Sequence, residues 1–282
     1  MGKFLSRAPQ HGFTLIEAIM VIVITGIIGT MVAVFIRSPV EGYVDSVARA
    51  ELTDAADTAL RRVARDVRSA LPNSLRAATN GSTACVEFLP TVGGGRYRVA
   101  QNNTGGGDVL DFAVADNAFE VLASSSLPPP GGYGNAHQVV VYNLGIPGAD
   151  AYAGNNRAPI AAGANAGTIT LTAPFRFPFQ SPGNRFHVIP NQSVIYTCDA
   201  GTGTLRRSMR AIAAAPPATC PVGAVGTALV NNVNCGASGF TYLPAESQRN
   251  GLLTMTLVLT QAAARGNESI RLYQEVHVDN TP

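Results

Sequence analysis

Residues 7–38 read RAPQHGFTLIEAIMVIVITGIIGTMVAVFIRS, and the fold turns on this stretch. From Phe13 to Ile36 it holds 24 residues with one charge, Glu17. As an α-helix rising about 1.5 Å per residue, the run covers roughly 36 Å, enough to cross a hydrocarbon core of about 30 Å. A cleavable secretory signal fits poorly, because its apolar core is only about 7–15 residues long and closes on small residues. Here Phe35, Ile36 and Arg37 stand at that end. A plain signal anchor, oriented by Lys3 and Arg7 on the cytoplasmic side, accounts for everything except Glu17. A carboxylate inside an apolar span costs on the order of 3 kcal/mol, so it needs a partner.

The phrase HGFTLIEAIMVIVITGIIG, residues 11–29, resembles the type IV prepilin (class III) signal. It has a short basic leader, residues 1–12, ending in Gly12, then Phe13, then Glu17 as the fifth residue counted from Phe13. The resemblance implies that prepilin peptidase cuts between Gly12 and Phe13 on the cytoplasmic side and methylates the new Phe13 amine. It also implies that residues 13–36 stay as the transmembrane anchor and later form the packed core of a filament. Glu17 of one subunit would then meet the cationic Phe13 amine of its neighbour, and the pair would neutralise in a low-dielectric setting and set the axial register. Within the span, Gly26 and Gly29 with Thr25 and Thr30 offer small faces for close helix approach.

The helix is expected to continue to residue 71, with Pro39 and Gly42 interrupting it. Beyond them Val44, Val47, Ala48, Leu52, Ala55, Ala56, Ala59, Leu60, Val63, Ala64, Val67 and Leu71 recur with a 3.6-residue period. The opposite face carries Arg49, Glu51, Asp54, Asp57, Arg61, Arg65, Asp66 and Arg68 and reads as solvated, and Pro72 with Asn73 ends the element.

Residues 72–282 read as strands separated by glycine, proline and asparagine. The clearest pair is LLTMTLVLT (252–260) and ESIRLYQEVHV (268–278), which alternate with period two on either side of a short polar loop. Further candidates are ACVEFL, RYRVA, VLDFAV, AFEVL, QVVVYNL, TITLT, FHVI, SVIYTC, TLRRSM and GFTYL. LPPPGGYGNA, PGADAYAGNNRAPIAAGANAG and AIAAAPPATCPVGAVG read as long loops. The expected fold is therefore α+β and pilin-like: a long N-terminal helix, its first half transmembrane, packed on a large antiparallel β domain.

CVEFLPTVGGGRYR, VVVYNLGIPGADAYAG, RFHVIP, VIYTCD and the closing YQEVHVDNTP are similar to MshO-type minor pilin-like proteins of the mannose-sensitive haemagglutinin (MSHA) pilus system. More distantly, the layout resembles the large minor pseudopilin J of type II secretion and minor pilin W of type IV pili. These likenesses imply a non-enzymatic subunit in assembly or initiation of an MSHA-type pilus, with other minor pilins and a major pilin as partners. They place it in the bacterial inner membrane with its C-terminal domain in the periplasm. The alternatives are a minor pseudopilin of type II secretion and a tip-exposed adhesin. Zero tryptophans and eight tyrosines supply few aromatic platforms for carbohydrate. By analogy with secretion pseudopili, whose terminal subunit lacks the fifth-position glutamate, Glu17 speaks against the extreme tip.

Charged residues make up only 13% of the chain, against about a quarter in ordinary soluble domains. Without Lys3 and Arg7 the chain holds 18 basic and 18 acidic residues, so it lacks an electrostatic footprint for nucleic acid. Cys85, Cys198, Cys220 and Cys235 follow the apolar run without C-x-x-C spacing. One or two disulfides fit, three pairings being open if all four join; bridges within the Cys198–Cys235 region are favoured, and buried free thiols are the other reading.

Catalytic chemistry finds no purchase. His11 belongs to the leader, and His137, His187 and His277 stand too far apart for a metal motif, so they read as satisfied histidines. GGGRYR and NNTGGGD lack the P-loop form and read as glycine turns. Asp108, Asp111 and Asp116 lack EF-hand spacing and would hold calcium only with oxygens brought by the fold. Phe175, Phe177, Phe179 and Phe186 beside Arg176 and Arg185 read as core or loop packing. No nucleophile elbow occurs, and no cofactor, metal or small-molecule substrate is expected.

Overall fold

The computed structural model describes residues 12–124, 132–164, 167–215, 220, 226–244, 250–263 and 266–281. The leader expected over residues 1–12 therefore lies outside the described residues except for Gly12, as do most of LPPPGGYGNA and AIAAAPPATCPVGAVG. The chain separates into two units, residues 1–50 with 262–268, and residues 51–261 with 269–282.

Helix α1 (Leu15–Arg68) runs unbroken through Pro39 and Gly42, where the sequence predicts an interruption. Proline's fixed φ is compatible with a helix, so the missing donor and the crowding of the preceding turn weaken the element at Pro39 without ending it. The turns on either side are closed by an Arg37–Glu41 ion pair at 2.7 Å and by Ser46 Oγ donating to the Gly42 carbonyl at 2.8 Å. The helix ends before Pro72 is reached. Ser69 and Ala70 N–H tighten onto the carbonyls of Asp66 and Val67 at 3.0 Å each, and Leu71 N–H turns to the Leu89 carbonyl at 2.7 Å.

Fourteen strands follow among the described residues: β1 (Arg76–Asn80), β2 (Thr83–Phe88), β3 (Gly93–Tyr97), β4 (Asp116–Ser124), β5 (His137–Val141), β6 (Arg157–Pro159), β7 (Thr168–Phe175), β8 (Arg185–Pro190), β9 (Gln192–Asp199), β10 (Thr204–Ala211), β11 (Thr227–Val230), β12 (Gly239–Leu243), β13 (Gly251–Ala263) and β14 (Gly266–Val278). They form three sheets, ordered β1-β2-β9-β10-β11, β12-β13-β14 and β6-β5-β8-β3-β4-β7. The strand pairings among the described residues are antiparallel, so the α+β layout of one long N-terminal helix and a large antiparallel β domain is observed.

One core lies between the second half of α1 and the first two sheets. Leu52, Ala56, Leu60, Val63 and Val67 pack with Val86, Phe88, Val194 and Tyr196 of the five-stranded sheet and with Leu253, Met255 and Leu257 of β13. Of the periodic stripe, Val44, Val47 and Ala55 are exposed, so burial begins at Leu52. A second core fills the six-stranded sheet around Tyr97, Phe119, Val139, Ile169, Phe177 and Phe186. That sheet bends until its two ends meet: Ile160 bridges Leu171, and Ala161 N–H donates to the Thr170 carbonyl at 2.8 Å. Leu71, Leu89, Val140, Tyr152 and Ile189 form a smaller cluster.

Several expectations are corrected. GGGRYR is not a turn: Gly93, Gly94 and Gly95 are strand residues opposite Val188, His187 and Phe186. Glycine is required because a Cβ on Gly93 would fall 1.9 Å from the Tyr133 hydroxyl, and one on Gly95 would fall 2.4 Å from the Ala123 carbonyl. VLDFAV is not a strand, since Asp111 Oδ1 accepts from Ala113 and Val114 N–H and curls the backbone. The stretch 147–164 is no loose loop; Ala149, Ala151, Tyr152, Ala158 and Ile160 are buried in it. Asn143 Oδ1 accepts from Ala151 N–H at 2.8 Å and Asn156 Nδ2 donates to the Tyr142 carbonyl at 3.2 Å, which supplies the backbone partners that such burial demands.

Candidate processing and assembly segment

The sequence places Thr14 three residues before Glu17, and the structure uses that spacing. Thr14 is the N-cap of α1: its carbonyl accepts from Ala18 N–H at 3.2 Å and its Oγ1 from Glu17 N–H at 3.4 Å. Thr-x-x-Glu is the capping-box signature, legible in FTLIE but missed in favour of the charge alone. Glu17 thus occupies the first turn, where a carboxylate meets the positive end of the helix dipole. Its side chain is exposed and finds no hydrogen-bonding or ionic partner among the described residues. Gly12, Phe13 and Thr14 precede the helix, and Phe13 is 77% exposed.

From Leu15 to Ile36 every side chain is exposed in the isolated chain, and the helix is long and apolar enough to cross a membrane. Thr30 Oγ1 donates to the carbonyls of Gly26 and Ile27 at 3.1 and 2.8 Å, and Thr25 Oγ1 to that of Val21. The span's own backbone therefore satisfies its hydroxyls, as an apolar solvent requires. Among the described residues, nothing beyond the adjacent residues and the helix's own backbone lies within 4 Å of a Cβ built on Gly26 or Gly29.

A second carboxylate on the same helix behaves differently. Asp66, expected on a solvated face, accepts from Arg207 Nε at 2.9 Å and from the Tyr196 hydroxyl at 2.7 Å. On the other face of the five-stranded sheet, fully buried Glu87 is gripped by Arg210 through two 2.7 Å bonds, by Arg76 Nε at 3.0 Å and by Ser193 Oγ at 2.6 Å. Burial opposes its charged form, but hydrogen bonds from Arg210 and Ser193 and the charges of Arg76 and Arg210 outweigh burial and hold the carboxyl below the usual range. The Arg76 guanidinium also lies 3.4 Å from the centroid of the Tyr152 ring. These groups are occupied with one another and bind the sheet together.

The four cysteines form two disulfides, Cys85–Cys220 and Cys198–Cys235. The second lies in the favoured region, while the first reaches back to β2, a pairing that spacing does not reveal. Ala84 stands opposite Cys198 and Cys85 opposite Thr197, so neighbouring rungs of one strand pair carry the two bridges. Cys198 and Cys235 pack in the helix-side core, whereas Cys85 and Cys220 cluster with Ile195.

The remaining candidates do not converge. Asp116 accepts from the N–H groups of Asp111, Asn117 and Ala118, and among the described residues no group of three or more His, Cys, Asp or Glu is arranged to hold a metal ion. In NNTGGGD, Asn102 Oδ1 accepts from Thr104 and Gly106 N–H. His187 is not the satisfied histidine expected. Its Nε2 is buried without a hydrogen-bond partner among the described residues, and burial, helped by Arg185, lowers its pKa to about 4. Phe177 and Phe186 are core residues, while Phe179 is 48% exposed.

Residues 7–33 match the family model of the prokaryotic N-terminal methylation motif. No curated protein matches the chain, and no solved structure does. The motif supports a type IV prepilin-like protein, a structural subunit processed by prepilin peptidase and assembled with other pilins. The apolar helix behind it is consistent with membrane anchoring.

Proposed function

We propose that this chain is a minor pilin-like subunit that takes part in assembly or initiation of an MSHA-type pilus, in the manner of MshO. It is cleaved between Gly12 and Phe13, methylated on the Phe13 amine, and anchored in the bacterial inner membrane by residues 13–36. Residues 72–282 face the periplasm, and Cys85, Cys198, Cys220 and Cys235 are oxidised there.

The observation that carries this reading is Glu17, an unpartnered carboxylate in the first turn of an exposed apolar helix. Left alone in lipid it costs on the order of 3 kcal/mol. A neighbouring subunit's Phe13 amine is a cation of the right charge at the right end of an identical element. Pairing the two removes that penalty and admits one axial offset between subunits, because any other leaves both charges stranded. The Thr14 cap contributes as well. With the helix starting at Leu15, the bond between Gly12 and Phe13 has no intrahelical hydrogen bond to give up before it enters a protease. The phrases resembling MshO-type proteins favour the pilus over secretion.

Mass spectrometry of the mature N-terminus tests the proposal. The expected product begins at N-methylated Phe13; an intact Met1, or a cut beyond Ile36, overturns it.

A further inference from the structure

Sheet edges expose unpaired N–H and C=O groups, and proteins protect them with short strands, prolines, bulges or closure. Five of the six edges here are so treated. β1, β11 and β12 are only 5, 4 and 5 residues long. β6 and β7 carry Pro159 and Pro174 and meet through the Ile160–Leu171 bridge. The sixth edge, β14, is 13 residues long, contains no proline, and among the described residues is hydrogen-bonded only to β13. From Ile270 onward its core-facing row is Ile270, Leu272, Gln274, Val276 and Val278, without a charge, while Glu268 at the start of that row is taken up by Arg49 at 2.7 Å. Its exposed row is Ser269, Arg271, Tyr273, Glu275 and His277, with Tyr273 61% exposed.

We propose that β14 pairs edge to edge with β14 of a second copy of this chain, antiparallel, about a two-fold axis through Tyr273. The sequence of the strand is complementary to itself in that register. Tyr273 faces Tyr273, and Arg271 faces Glu275 twice over, one pair on each side of the axis. Ser269 faces His277 in the next rungs. On the other face Leu272 meets Gln274 and Ile270 meets Val276, which prolongs the apolar layer. Moving the axis to residue 271 sets Arg271 against itself, and moving it to 275 does the same to Glu275, so like charges oppose both. An axis between residues turns the apolar row of one strand outward. An isologous contact of this kind closes at two copies.

The inference stands on the strand alone and does not depend on the reading of the N-terminal segment. Single cysteines introduced into the full chain in detergent micelles test it, since no native cysteine is free. Directly opposed residues have Cα atoms about 4.5–5.5 Å apart, within disulfide reach, while a residue two rungs off the axis lies roughly 13 Å from its own copy. Tyr273→Cys should therefore cross-link to itself on mild oxidation. Arg271→Cys and Glu275→Cys should each fail alone and cross-link when mixed. Arg271→Glu should weaken the dimer roughly tenfold through two like-charge pairs, and adding Glu275→Arg should restore it. No dimer at position 273, equal cross-linking at all three positions, a cross-link from 273 to a different protein, or failure of the charge swap to rescue would each overturn the proposal.

Discussion

Glu17 and Asp66 stand on one helix, and the difference between them separates its two regions. Around Asp66 the chain provides Arg207 and Tyr196 as partners, and the neighbouring apolar side chains, Val63 and Val67, are fully buried. Around Glu17 the described residues provide a cap for the backbone and nothing for the carboxylate, and its apolar neighbours are exposed. The helix is locally the same structure in both places. What differs is where the partners come from. The region after Leu52 is completed by the chain's own sheets, whereas the region before Arg37 finds no such cover among the described residues and is long and apolar enough to cross a membrane.

The largest break in that contrast comes from Glu17→Leu. Folding of the β domain, membrane insertion and cleavage should be unchanged, while co-purification with partner pilins should fall on the order of a hundredfold, because a buried ion pair deprived of one member costs several kcal/mol. Normal recovery of the variant with its partners would remove the role given to this carboxylate. Next comes a matched pair of truncations. Leu60→Ala should lower the stability of the β domain by about 2–5 kcal/mol in chemical denaturation, because Leu60 is 3% exposed in a core that cannot follow the lost volume. Ile28→Ala should leave that transition where it was, since its side chain touches no core. The smallest effect is that of Asp66→Asn, about 1 kcal/mol by the same measurement. The ion pair with Arg207 is about a quarter exposed on both sides, and the amide oxygen can still accept from Tyr196. A loss for Asp66→Asn comparable to that for Leu60→Ala would show that the helix is held to its sheet by charge rather than by packing.

Much of this was legible in the sequence, where periodicity was strong and local. The apolar run, the amphipathic stretch from Leu52, and the alternation in β13 and β14 each follow from side-chain spacing within one element. What escaped depends on neighbours distant in the chain. Three consecutive glycines have no strand propensity, and only the approach of Tyr133 and the Ala123 carbonyl explains why β3 begins with them. Asp66 reads as solvated until Arg207, 141 residues later, is brought beside it. Cys85 and Cys220 are 135 residues apart, a distance that spacing arguments cannot span. At the candidate segment the charge was plain and its cap was overlooked, although both lie in the same five letters.

The two disulfides have a consequence of their own. They leave from adjacent rungs on opposite faces, tying β2 to Cys220 on one side of the sheet and β9 to Cys235 on the other, so each strand of that pair is held covalently to a segment distant in the chain. Thiols stay reduced in the cytosol and close only beyond it. On the proposed periplasmic placement each molecule carries a stamp of the compartment it has reached, and a shift in gel mobility without reductant should sort chains whose β domain has crossed from those still waiting.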